Sequence, residues 1–295
     1  MLPEETVKNS TTKFVLVIVM IFSLAGCVKL GLRLTPSLIP NLSKAFFEEC
    51  DPFLARQSLP ADLKLMEGLL KNAPENRQLL TALCMGFAGY SMLFIEEEDP
   101  ERASRLYLRA RDYGFKALGW FRPMPEKPGW NRDIILGGLA ELGEADIEAL
   151  FWTTMSWNAW LSLNLDKPVA LAQLNVAKAC LNRVLEIAPD YFHGTPYVLM
   201  GSILAAMPAS LGGDARAAQG FFQEAIELSS GKFLLAHYYY ARHYAVRTQR
   251  KELFLRLLRE VERTSPNELR DVCLINSVMR QKARRLAAMA EELFL

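Results

Sequence analysis

Histidine is scarce in this chain, with three in 295 residues, and its five cysteines are scattered. No HExxH, CxxC or comparable ligand spacing occurs, so the sequence offers no metal centre. His237 and His243 lie six apart, about 240° round a helix at 100° per residue, so they do not converge. His193 stands beside Gly194 in a turn. A Gly-rich phosphate loop and a GxSxG elbow are missing as well, and no nucleophile–base arrangement can be drawn. Neither sign of charge prevails: 34 Lys and Arg face 33 Asp and Glu, for a net +1. No basic block is present that would neutralise a row of phosphates, which argues against nucleic acid as a partner. Strand patterns are almost absent. The chain therefore reads as all-α, with no enzymatic chemistry, cofactor or metal expected.

What is present begins with an apolar run from Phe14 to Val28, fifteen residues between Lys13 and Lys29. A spanning helix needs about 20 apolar residues, so the run is short for a bilayer. Its plan is that of an export signal: Lys8 and Lys13 (offset by Glu4 and Glu5), the core "FVLVIVMIF", then small residues. It ends in "LAGC", Leu24 to Cys27, which resembles the bacterial lipobox. That resemblance implies cleavage after residue 26 and lipid attachment at Cys27, with several acyl chains needed for a stable hold. Val28 follows the cysteine in place of Asp, which favours the outer membrane's inner leaflet, the inner membrane being the alternative. The expected division is a signal peptide over 1–26, a lipid-anchored tether over 27–40 and a helical repeat domain over 41–295, all on the periplasmic side.

Four further cysteines remain, Cys50, Cys84, Cys180 and Cys273. Cys84 and Cys180 fall on apolar helix stripes, where a free cysteine acts as a small hydrophobe. An oxidising compartment permits a disulfide, but helical core positions favour buried thiols.

Half of the chain, 51%, is hydrophobic, and helix patterns fill it. In "DPERASRLYLRARDYG", Asp99 caps, Pro100 takes the first helical position, and Ala103, Leu106, Tyr107 and Ala110 form one stripe. Arg102, Arg105 and Arg109 form a row on another face. After "LGGD", Asp214 caps a helix striped by Ala218, Phe221, Phe222 and Ala225. "VALAQLNVAKACLNRVLEIAPD" places Ala177, Leu181, Val184 and Ala188 together. Each of these three follows a more aromatic helix, at 79–94, 196–207 and 148–164 respectively.

This spacing predicts degenerate tetratricopeptide-like helix pairs forming an α-solenoid. The small–aromatic–small triplets Ala103/Tyr107/Ala110 and Ala218/Phe222/Ala225 fit, but Gly86 and Gly201 each lie 17 residues ahead of the first small one. The connection within both pairs is thus about five residues too long for that repeat. A cruder pair spans "FLLAHYYYARHYAV" and "RKELFLRLLREVERTSP", and "LPADLKLMEGLLKNAPEN" reads as an earlier half-unit. Segment 119–133, with three prolines and two glycines, stands outside the pairs. The last segment carries Val272, Ile275, Met279, Ala283, Leu286, Ala290 and Leu293 along one side, as suits a C-terminal capping helix.

Five stretches in order resemble the T-component (TatT) family associated with tripartite ATP-independent periplasmic (TRAP) transporters. They are "EDPERASRLYLRARDYG", "ALFWTTMSWNAWLSLNLD", "AMPASLGGDARAAQGFFQEAIEL", "GKFLLAHYYYARHYAV" and "NSVMRQKARRLAAMAEELF", in a likeness running from about Leu59 to the C-terminus. The resemblance implies an accessory lipoprotein of TPR-like build with a channel through each subunit, assembling as a homotrimer. It would partner the transporter's periplasmic solute-binding component and carry a small hydrophobic cargo. Helix 148–164 holds Phe151, Trp152, Trp157 and Trp160, and helix 233–246 holds Tyr238, Tyr239, Tyr240 and Tyr244. Three consecutive tyrosines spread over about 200° of a helix, so one seam cannot bury them all. Inter-helix packing accounts for most of these rings, and Trp157, Trp160 and Tyr239 are the candidates for lining such a channel. The alternative is a lipid-anchored repeat scaffold for envelope or pilus assembly that binds peptides and no small ligand.

Overall fold

Side chains that the sequence supplies for the purpose start the main helices. The N–H groups of a first helical turn have no partner inside the helix, and Asp51, Asn76, Asp99, Asn131 and Asp214 each accept one or two of them. The structure, a computed structural model, describes residues 37–120 and 131–294. Every regular element in them is helical: α1 Leu38–Phe47, α2 Pro52–Asn72, α3 Arg77–Tyr90, α4 Pro100–Ala117, α5 Arg132–Gly138 and α6 Ile147–Ser162. There follow α7 Leu174–Ile187, α8 Tyr191–Ala206, α9 Ala215–Leu228, α10 Leu234–Tyr239, α11 Lys251–Arg263 and α12 Cys273–Ala288. The leader, Cys27 and the central part of the proline-rich segment, 121–130, lie outside the described residues. Helix α1 begins inside the stretch expected as tether.

Consecutive helices pack in pairs, α3 on α4, α6 on α7, α8 on α9 and α10 on α11, and α4 also packs on α6. Ala103, Tyr107, Ala110, Ala177, Leu181, Val184, Ala218, Phe222 and Ala225 are all fully buried at these seams. The approach is close enough to need small residues. A Cβ on Gly201 would stand 3.1 Å from the Phe222 ring, and one on Gly114 would stand 1.9 Å from the Thr153 hydroxyl. Gly86, by contrast, faces Leu63 of α2. Arg109 lies on an exposed face, as its row implies, but it is not free there. Its guanidinium pairs with the buried carboxylate of Glu67 and lies 4.5 Å from the centre of the Phe87 ring. Helix α3 and its continuation to Ile95 are apolar and long enough to cross a membrane, but 89% of that apolar window is buried against neighbouring helices.

The surplus residues between paired helices have two different fates. After α3 they stay helical as a π turn, Ser91–Ile95, and after α10 a second π turn, Tyr240–Ala245, occupies the same place in its pair. In the pair formed by α8 and α9 they form a loop around a 3-10 turn, Ala209–Leu211. A π turn widens the helix and re-aims its side chains and carbonyls, which is why such turns mark functional positions so often.

The array does not end freely. Helix α12 packs on α10 and α11 and also reaches back to α1 and α2. Its fully buried Asn276 accepts from Leu234 N at 2.9 Å and donates to Lys232 O at 2.9 Å, fixing the start of α10. Lys282, 3% exposed, donates to the Met92 carbonyl of the first π turn at 2.8 Å and pairs with Glu97 at 3.2 Å. A disulfide joins Cys50 to Cys273, 223 residues apart. The preference for buried thiols at helical core positions therefore holds for Cys84 and Cys180, while the disulfide that an oxidising compartment permits joins the other two. Cys50 lies in the exposed link between α1 and α2 and not on a core stripe, so closure of the fold brings it to Cys273. Phe47 adds a further tie, its ring 6.1 Å from Trp152 of α6 and 5.2 Å from Phe192 of α8. Phe192 is held there by a left-handed backbone, with φ positive at Phe192, His193 and Gly194.

At the seams, extra volume must push packed helices apart, at a cost of about 1–3 kcal/mol. Ala225→Leu is expected to lower the thermal midpoint clearly, whereas Arg105→Ala, on an exposed face with no partner, is expected to leave it unchanged. Thermal unfolding of the two variants side by side checks this placement of the helix faces.

Candidate functional site

Between the first helices of the pairs lies a cavity of about 130 Å³. Its buried floor is Met92 from the first π turn, Tyr107 of α4, Met155 of α6 and Leu235 of α10. Val198, Leu199 and Ile203 of α8 form one wall. Exposed residues Ser162, Leu165 and Ala206, at the ends of α6 and α8, form the mouth. An apolar concavity with a few convergent polar groups is the usual form of a small-molecule site.

The polar groups gather where the two π turns face each other. Glu96, just beyond the first turn, accepts the Tyr107 hydroxyl proton on Oε2. The Tyr239 ring lies 5.2 Å from the His243 ring, one helical turn on. Burial, reinforced by the Glu96 charge, holds the phenols of Tyr107 and Tyr239 far above their ordinary range, so both stay protonated. Burial and the neighbouring Arg242 charge push the His243 imidazole down to about 3, so it is neutral.

Behind this polar end sits an ionic cluster on Glu97. Its carboxylate takes Tyr238 at 2.9 Å, Arg242 at 3.0 Å, Arg285 at 3.0 Å and Lys282 at 3.2 Å. Burial alone would raise the Glu97 carboxyl, but Lys282, Arg285, Tyr238 and Arg242 outweigh it and hold it down to about 2. Glu98, next in line, binds Arg56 of α2 through both oxygens at 2.7 and 2.5 Å. The three consecutive glutamates thus face the cavity, α12 and α2 in turn.

Of the three aromatics expected at a channel, Tyr239 lies in the cavity wall and the two tryptophans do not. Trp157 is fully buried, donates to Gln173 Oε1 at 2.9 Å and meets Phe115 edge-on at 5.1 Å. Trp160 is 6% exposed, with Trp157 and Phe115 around the buried Arg111 guanidinium. The tyrosine run divides as its angular spread requires. Tyr238 bonds Glu97, Tyr239 meets the cavity, and Tyr240 stacks on Phe222 at 5.0 Å. Glu96 and Met92 were not singled out from the sequence, and His243 was read there only as a histidine that does not converge with His237. The surplus after Gly86 and the acidic run "IEEEDP" at 95–100 are the features of the sequence that mark the first of these places.

The geometry defines an all-helical protein with an apolar pocket enclosed by its helix pairs. Residues 48–294 match the sequence profile of the family described as TRAP transporter T-component, so the chain belongs to that family. The family implies an accessory role at a TRAP transporter and is not a known enzyme family. The chain is also 24% identical to an uncharacterized protein of Treponema pallidum (strain Nichols), over 86% of this chain and 84% of that one.

The depressed His243 group makes stability depend on pH. Between pH 6.5, its ordinary value, and about 3, the unfolded chain binds a proton that the folded protein refuses. Stability is therefore expected to fall as pH drops below 6.5, with Glu97 adding a further loss as pH falls from 4.5 towards about 2. His237, also depressed by burial, acts in the same direction as His243. Urea midpoints at pH 7 and pH 5 are expected to differ clearly in the natural protein and less in His243→Gln.

Proposed function

We propose that this protein is a lipid-anchored periplasmic accessory component of a TRAP-type solute uptake system. In this reading it binds the solute-binding protein and holds a small apolar ligand in the cavity, for passage to or from that partner. The observation that carries the ligand part is the cavity itself, apolar over most of its wall and open between the ends of α6 and α8. Family membership supports the transporter part. Cys27 at the end of a lipobox-like segment supports the anchor, with the outer membrane's inner leaflet favoured. The Cys50–Cys273 disulfide suits an oxidising compartment such as the periplasm.

The four helix pairs read best as degenerate tetratricopeptide-like repeats of a short α-solenoid, with α12 covering its last pair. The assembly is a homotrimer in this reading. Exposed apolar side chains on α1 and α2, Leu38, Leu42, Phe53 and Leu54, are available for such contacts.

Cys27→Ser is expected to leave an unprocessed precursor that takes up no lipid label, and normal labelling of that variant ends the anchor reading. Sedimentation of the mature protein, alone and with its cognate solute-binding protein, tests the rest. A trimer is expected alone, and a reversible complex at tens of micromolar, near −6 kcal/mol, with the partner. A strict monomer removes the trimer but spares the transporter role. Absence of any complex favours the alternative envelope scaffold.

A further inference from the structure

The cavity's polar chemistry bears on what kind of ligand fits, given the reading of the cavity as a ligand site. Its polar side chains fall into two groups. Asn158, Ser162, Thr195 and Ser202 donate to backbone carbonyls of their own helices, at 2.8, 2.8, 2.6 and 2.8 Å. The three hydroxyl protons are thereby spent, which leaves those oxygens as acceptors, while the Asn158 amide keeps one N–H and its carbonyl oxygen. The second group is Glu96, Tyr239 and His243. Glu96 uses Oε2 for Tyr107, which leaves Oε1 without a partner. The Tyr239 hydroxyl and the His243 ring make no hydrogen bond to any described residue. Among the described residues no lysine or arginine lines the cavity. The nearest cations, Arg242 and Lys282, are engaged by Glu97 on the far side, at 3.0 and 3.2 Å.

Among the described residues the site therefore offers an unpaired carboxylate oxygen and several acceptors, with no cation in its lining and the Arg242 charge beside His243 already paired with Glu97. A carboxylate ligand would meet Glu96 with only neutral donors, Tyr239, His243 and one Asn158 N–H, to hold it, in surroundings where repulsion between like charges is weakly screened. A head group with protons to give would satisfy Glu96 Oε1, and a hydroxyl, unlike an ammonium, would also accept from Tyr239. We infer that the ligand is a small amphiphile whose apolar body fills the cavity and whose head donates hydrogen bonds, a hydroxyl or an ammonium, and that carboxylates are disfavoured. A cavity of about 130 Å³ is close to the engineered apolar cavity of about 150 Å³ that accepts one benzene ring, so the enclosed body is short and a longer tail would leave by the mouth.

The test is calorimetric titration of the mature protein with three probes of equal chain length: hexanol, hexylamine and hexanoate. At least one of the first two is expected to bind tenfold or more tightly than hexanoate, and which of them does so separates a neutral from a cationic head. Glu96→Gln, folded by circular dichroism, is expected to narrow that ratio to within about threefold. Hexanoate binding as tightly as the others in the natural protein overturns the inference but leaves the cavity a ligand site. If none of the three binds, the ligand reading itself falls.

Discussion

One ammonium group, on Lys282, holds the two ends of this molecule together. It is almost wholly buried, and it reaches from the last long helix into the first helix pair, where it finds the Glu97 carboxylate and the Met92 carbonyl. Desolvating a charge costs several kcal/mol, about 3–5 when one partner of such a pair is removed, so a buried lysine persists only where the geometry is complete. Burial pulls the Lys282 pKa down and the glutamates push it back. The Cys50–Cys273 link and the Phe47 ring secure the same closure at other points. The same closure stands directly behind Met92 and Glu96, which share one cavity with Tyr239 and His243.

The two π turns make that closure and the cavity parts of one arrangement. In the first turn the Met92 carbonyl goes to Lys282 while the Met92 side chain meets the cavity floor. In the second, His243 faces the cavity and Arg242 turns to Glu97. Each turn thus contributes one neighbour to the ionic cluster and one to the pocket. Three glutamates in succession then separate the tasks: Glu96 serves the cavity, Glu97 the closure and Glu98 the contact with α2. A ligand contacting Glu96 would lie next to the group that fixes α12, so occupancy of the cavity and tightness of the closure are placed to influence each other.

Much of this was legible in the sequence because helix pairing is written locally. Asp99, Asp214 and the small–aromatic–small triplets set helix starts and buried faces without help from the rest of the chain. The family was legible for the same reason, from stretches of seam residues. The closure was not, because Cys50 and Cys273, or Met92 and Lys282, meet only when every pair is stacked, and no short-range pattern encodes a contact across 190 residues. The candidate aromatics divided on the same ground. Trp157 and Trp160 are taken up by the seam with α4, where they surround Arg111, whereas the role of Tyr239 depends on where the opposite π turn stands. The five-residue surplus was visible, but its conversion into a π turn in one pair and a loop in another follows from tertiary contacts.

The central claim is that the last helix closes the array through a buried charge on which the cavity depends. Hydrogen exchange of the Glu97→Gln variant tests it most directly, because that change keeps the side-chain shape and leaves Lys282 without its carboxylate. Exchange is expected to accelerate together in α12, in the Ser91–Ile95 turn and in the Tyr240–Ala245 turn, while the α8–α9 seam keeps its protection. Unchanged exchange at those three segments, or an even acceleration throughout the chain, would contradict the account.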